Sequence, residues 1–207
     1  MLKPNSEFRK EAREALAGNW AMAAVTTLVY VGVSAVCNSI PFVNWLLTFL
    51  VLLPVAWGMI MVFYNVRLGQ KVDIGVMFDG FKDYGRILGT RLLVAIYTFL
   101  WTLLLIVPGI VKGCSYAMTD FILRDHPELS FNAAIEKSMA MMEGHKMQFF
   151  LLQLSFIGWA LLCLLTLGIG FFFLQPYMSV ATASFYLDLK AAQGAESDGD
   201  EETQYTA

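Results

Sequence analysis

Residues 20–66, from Trp20 to Val66, contain no Lys, Arg, Asp or Glu, and the next charge is Arg67. About 20 residues rising 1.5 Å each cross the hydrocarbon of a bilayer, so this run has room for two spans and a turn. Ile40-Pro41-Phe42-Val43-Asn44 falls where the turn belongs. Residues 92–111 and 147–187 are uncharged as well. The pattern predicts spans over residues 21–39, 45–66, 88–107, 110–123, 146–165 and 171–189. The fourth is short and carries both Lys112 and Asp120. A soluble helical bundle is excluded, because this chain has no polar coat with which to cover so long an uncharged run.

Between these runs, residues 5–18, 73–86 and 130–143 follow the period of amphipathic helices. In the first, Phe8, Ala12, Ala15 and Leu16 form a stripe opposite Arg9, Lys10, Arg13 and Glu14, with Ser6 or Asn5 placed to cap it. In the second, Asp73 is the cap, Ile74, Met77, Phe78 and Phe81 form the stripe, and Asp79, Lys82, Asp83 and Arg86 face away. In the third, Ser130 is the cap, and Phe131, Ala134, Ile135, Ser138 and Met142 oppose Asn132, Glu136 and Lys137. The first helix either lies along the inner membrane surface, with Trp20 in the interfacial aromatic belt, or covers the cytoplasmic ends of the spans.

The fold class is therefore all-α: a polytopic membrane protein with six transmembrane helices arranged as three hairpins, each preceded by a cytoplasmic amphipathic helix. Residues 1–192 form one domain. Residues 193–207 are acidic, lack large apolar groups and are expected to be a disordered cytoplasmic tail. The basic residues set the topology. With the fourth span crossing, 13 of the 14 Lys and Arg share one side and Lys112 alone is opposite. Without it, Lys112, Arg124, Lys137, Lys146 and Lys190 move outside and the split is 9 to 5. The positive-inside rule selects six spans with both termini cytoplasmic.

Composition agrees, with 57% hydrophobic and 15% charged residues, where a soluble domain carries about a quarter charged. The first apolar block begins only near Trp20, behind a charged segment, which does not fit a cleavable signal. Cys37, Cys114 and Cys163 lie inside apolar runs without the spacing of a disulfide frame or zinc site, and read as packing residues. The basic groups flank apolar spans, so the expected partners are membrane lipids, including anionic headgroups, and a protein on the cytoplasmic side, and not nucleic acid.

Each hairpin also repeats a grammar. The second spans carry Ala56-Trp57-Gly58, Gly113-Cys114-Ser115 and Ser179-Val180-Ala181-Thr182-Ala183-Ser184, with Pro54, Pro108 and Pro176 near their outer ends. Their inner ends read Phe63-Tyr64-Asn65-Val66-Arg67, Phe121-Ile122-Leu123-Arg124 and Phe185-Tyr186-Leu187-Asp188. This is either a triplicated unit or the common grammar of helical hairpins. In both cases small residues let backbones approach in lipid, which places spans 2, 4 and 6 inside and leaves spans 1, 3 and 5 facing lipid.

Several stretches resemble a bacterial integral-membrane family, domain of unknown function 975 (DUF975). They are Glu14-Ala15-Leu16-Ala17-Gly18-Asn19-Trp20, Pro108-Gly109-Ile110-Val111-Lys112, Ser115-Tyr116-Ala117-Met118 and Asp125-His126-Pro127-Glu128-Leu129-Ser130. Ala134-Ile135-Glu136-Lys137-Ser138, Met142-Glu143-Gly144-His145-Lys146 and Leu154-Ser155-Phe156-Ile157-Gly158-Trp159 continue it. The resemblance implies no settled activity. The pattern is also similar to the membrane domain attached to some glycerophosphodiester phosphodiesterases, although no catalytic barrel accompanies it.

Candidate chemistry is sparse. Lys112, Tyr116 and Asp120 are four apart and share one helix face, the best candidate for a polar interior. Lys112 snorkelling outward with Asp120 at the inner interface, a transport path, and a buried structural pairing are all compatible with that spacing. Their eight-residue separation excludes a direct Lys112–Asp120 pair in a straight helix. Glu143, His145 and Lys146 form a candidate cytoplasmic interface, and with two histidines in the chain the metal signal is weak. Phosphate-loop, metalloprotease and nucleophile-elbow motifs are absent. No cofactor is expected. The favoured function is a non-enzymatic membrane scaffold or assembly protein; the alternative is a small-molecule or lipid transporter using the polar face of span 4, and a membrane-embedded enzyme comes third.

Overall fold

The computed structural model describes residues 2–39 and 44–204. The turn expected at residues 40–44 therefore lies outside the described residues except for Asn44. Every regular element among the described residues is helical: α1 (Asn5–Ala15), α2 (Trp20–Asn38), α3 (Asn44–Leu47), α4 (Leu53–Arg67), α5 (Tyr84–Leu104), α6 (Ile106–Tyr116), α7 (Thr119–Asp125), α8 (Phe131–Met141), α9 (Lys146–Leu154), α10 (Ile157–Leu165) and α11 (Phe171–Gln204), with a 3₁₀ segment at Ile74–Phe81.

Four stretches are long and apolar enough to cross a membrane: Trp20–Asn38, Thr48–Arg67, Tyr84–Leu104 and Lys146–Leu165. They differ sharply in burial. Thr48–Arg67, the helix with small residues, is 61% buried, against 22%, 11% and 22% for the other three. Buried residues also crowd α7 and the middle of α11, among them Phe121, Ile122, Leu123, Val180, Ala181 and Ala183. Helices α4 and α7 and the middle of α11 thus form the interior, whereas α6, which carries Gly113-Cys114-Ser115, leaves Val107, Ile110 and Val111 exposed; Leu- and Phe-rich α5 and α10 carry large exposed apolar side chains such as Phe99, Leu103 and Leu165.

Several expected boundaries move. Span 3 begins at Tyr84 and ends at Leu104, and Pro108 sits in the first turn of α6, where its missing N–H costs no bond. Expected span 4 is broken between α6 and α7 at Ala117-Met118, and span 5 between α9 and α10 at Ser155-Phe156. Neither break contains Pro or Gly. Pro54 acts upstream instead: its ring cannot supply an N–H to the Leu50 carbonyl, the backbone widens into a π turn over Thr48–Leu52, and the Tyr84 hydroxyl donates to that carbonyl at 3.0 Å. Pro4, with no side-chain capping bond, precedes α1 in place of the expected Ser6 or Asn5 cap, and Ser130 occupies the cap position of α8 without bonding through its hydroxyl. Asp73 does cap, accepting from the Gly75 N–H at 2.8 Å. Helix α11 continues to Gln204, into the segment whose composition alone predicts disorder.

The three short helices all dock on small-residue helices. Phe8, Ala12 and Leu16 of the α1 segment are fully buried, and the Phe8 ring meets Phe185 of α11 edge-on at 5.3 Å. The 3₁₀ segment lies on α4, where an added Cβ on Gly58 would stand 1.9 Å from the Met77 carbonyl oxygen and one on Gly80 2.3 Å from that of Pro54. Helix α8 reaches α6 through the Ser138 hydroxyl, which donates to the Ser115 carbonyl at 2.8 Å. Gly18 and Gly144, at φ +80° and +77°, make the reversals into α2 and α9 that a side chain would strain.

Candidate functional site

Asp120 lies in the first turn of α7, directly after the break that ends α6. Its partner is Arg91, seven residues into α5. Arg91 Nε donates to Asp120 Oδ1 at 3.0 Å and Nη2 to Oδ2 at 2.7 Å, a bidentate fork that uses both carboxylate oxygens. Arg91 Nη1 reaches the Leu53 carbonyl at 3.3 Å, and Trp57 Nε1 donates to the Asp120 backbone carbonyl at 3.2 Å. The side chains are only 15% and 20% exposed, so one ion pair ties α4, α5 and α7 together away from most solvent.

Two cavities flank the pair. One, of about 230 Å³, is bounded by Thr90, Arg91, Tyr116, Thr119 and Asp120. The buried Thr119 hydroxyl on its wall has no hydrogen-bond partner. The rest of its wall is apolar, from Leu53, Val94 and Ala95. The other, of about 200 Å³, lies between Asp120, Gln153, Gln175, Ser179 and Thr182.

A second carboxylate, Asp125, closes α7. It accepts from the Tyr64 hydroxyl at 3.2 Å and the Tyr186 hydroxyl at 3.0 Å, and pairs with Lys190. Phe121 stacks on Tyr186 with ring centroids 5.0 Å apart, and Tyr64 meets Phe121 edge-on at 5.4 Å. The C-terminal ends of α4 and α7 and the middle of α11 thus converge on one acid and three aromatic rings. Arg86 Nη2 satisfies the Leu123 carbonyl at 3.0 Å beside them.

A third carboxylate, Glu11, anchors α1. Arg67 Nη2 and Lys3 Nζ each approach it at 2.6 Å. Burial pushes the Glu11 carboxyl up, but hydrogen bonds from Lys3 and Arg67 outweigh it and hold the group below its usual 4.5. A depressed value means the contact stabilises docking fully above about pH 4.5 and weakens as pH falls through the lowered folded value. Amide-exchange protection factors over residues 5–15, corrected for the fall of the intrinsic exchange rate with pH, should therefore drop on acidification, and Glu11→Gln should flatten that response. An acid response unchanged in Glu11→Gln would assign it to another group.

The expected Lys112–Tyr116–Asp120 face is divided. Asp120 belongs to Arg91. Tyr116 is buried, its ring 6.4 Å from Tyr97. Lys112 stands 5.2 Å above the Trp101 ring and 3.9 Å from Met139 Sδ on α8. Glu143 is exposed, with His145 and Lys146 half-buried, at the α8–α9 reversal. His126 contacts Glu128 and Lys137, and no group of three metal-ligating side chains occurs among the described residues. Arg91 was missed because it closes a basic segment and reads as interfacial. The available signal is that Arg91 opens directly onto the uncharged run 92–111, where Asp120 is the first acid to follow.

Four helical stretches with the length and composition to cross a membrane are the pattern of a membrane protein. Residues 103–193 match the model of the family described as a protein of unknown function, DUF975, in agreement with the resemblance read from the sequence. The matched region runs from the end of α5 into α11 and contains Asp120 and Asp125. No curated protein and no solved structure matches the chain, and the likeness to glycerophosphodiester phosphodiesterases finds no support.

Proposed function

We propose that the chain is a non-enzymatic scaffold or assembly protein of the bacterial inner membrane, with six spans and both termini cytoplasmic. The observation that carries this reading is the closed Arg91–Asp120 fork: the carboxylate best placed to bind a cation or proton already spends both oxygens on a guanidinium. The aromatic cluster on Asp125 supports it, because it locks α4, α7 and α11 at one end where a transporter interior would rock. The six-span topology adds α6–α7 and the first part of α11 to the four long apolar stretches, and is supported by the 13 to 1 split of basic residues. The three short helices, each seated on a small-residue helix, support an internal triplication. A cytoplasmic protein partner and anionic lipids remain the partners of choice, with Glu143, His145 and Lys146 available at the α8–α9 reversal.

A transporter is the second reading, favoured by the two cavities that meet at Asp120. Reconstituted vesicles test both topology and function. Single cysteines at Leu167 and Glu136, in a background without native Cys, should label from outside and inside respectively. Proton and cation flux should equal that of protein-free vesicles. External labelling at Glu136 would overturn the topology, and charge-dependent flux abolished by a folded Asp120→Asn variant would overturn the scaffold.

A further inference from the structure

A cleft of about 530 Å³ lies away from the Asp120 and Asp125 clusters, where α1, α2, α10 and α11 meet. Its two ends differ in chemistry. At one, Arg9 and Arg13 project from the polar face of α1, one turn apart, and neither has a carboxylate within ion-pair distance among the described residues. This isolation is specific to the cleft side of the helix. On the same helix Glu11 is taken by Lys3 and Arg67, and Lys10 lies 3.8 Å from Glu14. The remainder is apolar and aromatic, walled by Trp20, Trp159, Phe173, Leu174 and Tyr177. Trp20 and Tyr177 sit with centroids 6.5 Å apart beneath the arginines.

We propose that this cleft is a binding site for one anionic phospholipid, whose phosphate is held by Arg9 and Arg13 and whose acyl chain lies along α10 and α11. Charge complementarity selects the headgroup: two unneutralised guanidinium groups present paired donors suited to phosphate oxygens. The volume and the tryptophan walls select a chain-bearing ligand over a free anion, since a small anion would leave most of the apolar surface uncovered. In the six-span orientation proposed above the lipid belongs to the cytoplasmic leaflet, and that assignment of leaflet rests on that reading. Binding itself does not, and is measurable in detergent without reference to topology.

The experiment titrates detergent-solubilised full-length protein with phosphatidylglycerol or phosphatidylcholine of matched chains, reading thermal stabilisation and the lipid retained in native mass spectra. Short-chain phosphatidylglycerol and inorganic phosphate distinguish a lipid from a bare anion. Phosphatidylglycerol should bind in preference to phosphatidylcholine, with a single tight equivalent. Arg9→Gln/Arg13→Gln should weaken it by more than about tenfold, as expected from losing hydrogen bonds to a charged group. Lys10→Gln/Lys71→Gln, which removes the same charge from exposed positions, should leave affinity unchanged, and Arg9→Lys/Arg13→Lys should restore part of it. The proposal is overturned by equal binding of the two lipids, by an equal loss in the Lys10/Lys71 control, or by inorganic phosphate stabilising as well as the long-chain lipid. Should the Gln pair fold poorly, the Lys pair and the lipid comparison on the unaltered protein decide the matter alone.

Discussion

Gly58→Ala should remove most folded protein from detergent extracts. The Cβ it adds would lie 1.9 Å from the Met77 carbonyl oxygen, 2.4 Å from its carbon and 2.8 Å from the Met77 Cα. These are backbone atoms of the 3₁₀ segment, so no side chain can rotate away. Overpacking a well-fitted site costs about 1–3 kcal/mol when side chains can adjust, and a backbone obstacle puts this site at or above the top of that range. The 3₁₀ segment leads directly into α5, so lifting it from α4 also withdraws Tyr84 from the Leu50 carbonyl and displaces the helix that carries Arg91. Gly80→Ala should behave alike, since its Cβ would stand 2.3 Å from the Pro54 oxygen. Gly113→Ala in α6 is the control: it meets nothing within 4 Å and should be neutral or stabilising by up to about 1 kcal/mol, through helix propensity. Thermal unfolding of the three purified variants checks the order, and a Gly58→Ala protein as stable as Gly113→Ala would mean that the 3₁₀ segment does not sit on α4.

That segment also shows how far the sequence could be read. The apolar stripe Ile74, Met77, Phe78 and Phe81 assumes 3.6 residues per turn, but a 3₁₀ helix has three, which aligns Ile74, Met77 and Gly80 instead. Met77 and Gly80 are the buried pair, and Phe78 and Phe81 stand exposed. For α8 the ordinary helical period holds, and Ala134, Ile135, Ser138 and Met142 are buried as their spacing predicts, while Phe131 at the start of the stripe stands exposed. Burial of α4 and the middle of α11 is legible because backbone approach demands small side chains, while α6 shares the small residues and still leaves Val107, Ile110 and Val111 exposed. The breaks at Ala117-Met118 and Ser155-Phe156 were not, because tertiary packing makes them without Pro or Gly. Asp125 is read as a turn residue from Asp125-His126-Pro127-Glu128, and it is one, yet its role as acceptor for Tyr64 and Tyr186 depends on partners 61 residues away in either direction. The spacing marks Asp120 as a candidate polar position, with a place at the inner interface, a transport path and a buried pairing all open; its partner is not legible, since periodicity within one helix carries no information about which neighbouring helix supplies the countercharge.

Asp120→Asn should therefore destabilise the protein substantially, by about 3 to 5 kcal/mol, the usual result of breaking a largely buried ion pair from one side. Shape is kept, but Arg91 retains its charge in a site that is only 15% exposed and loses a carboxylate that accepted both of its forked bonds. Arg91→Gln should cost a similar amount by stranding the carboxylate. The informative variant is the double replacement Arg91→Met/Asp120→Leu, which removes both charges and fills the space with apolar groups. It should recover much of the loss, because desolvating two ions offsets most of their mutual attraction. Lys112→Gln is expected to be mild, since that ammonium group meets only the Trp101 ring and the Met139 sulfur, contacts of about 1 kcal/mol or less. Thermal unfolding in detergent of the single and double variants gives the coupling energy directly. Asp120→Asn as stable as the parent would show the pair to be solvated and interchangeable. A stable double variant that had nevertheless lost ion flux present in the parent would restore the transport reading, because the pair would then matter for passage and not for packing. A stable double variant with no flux in either protein is the expected outcome, and it assigns Arg91 and Asp120 to fixing how α5 and α7 meet α4.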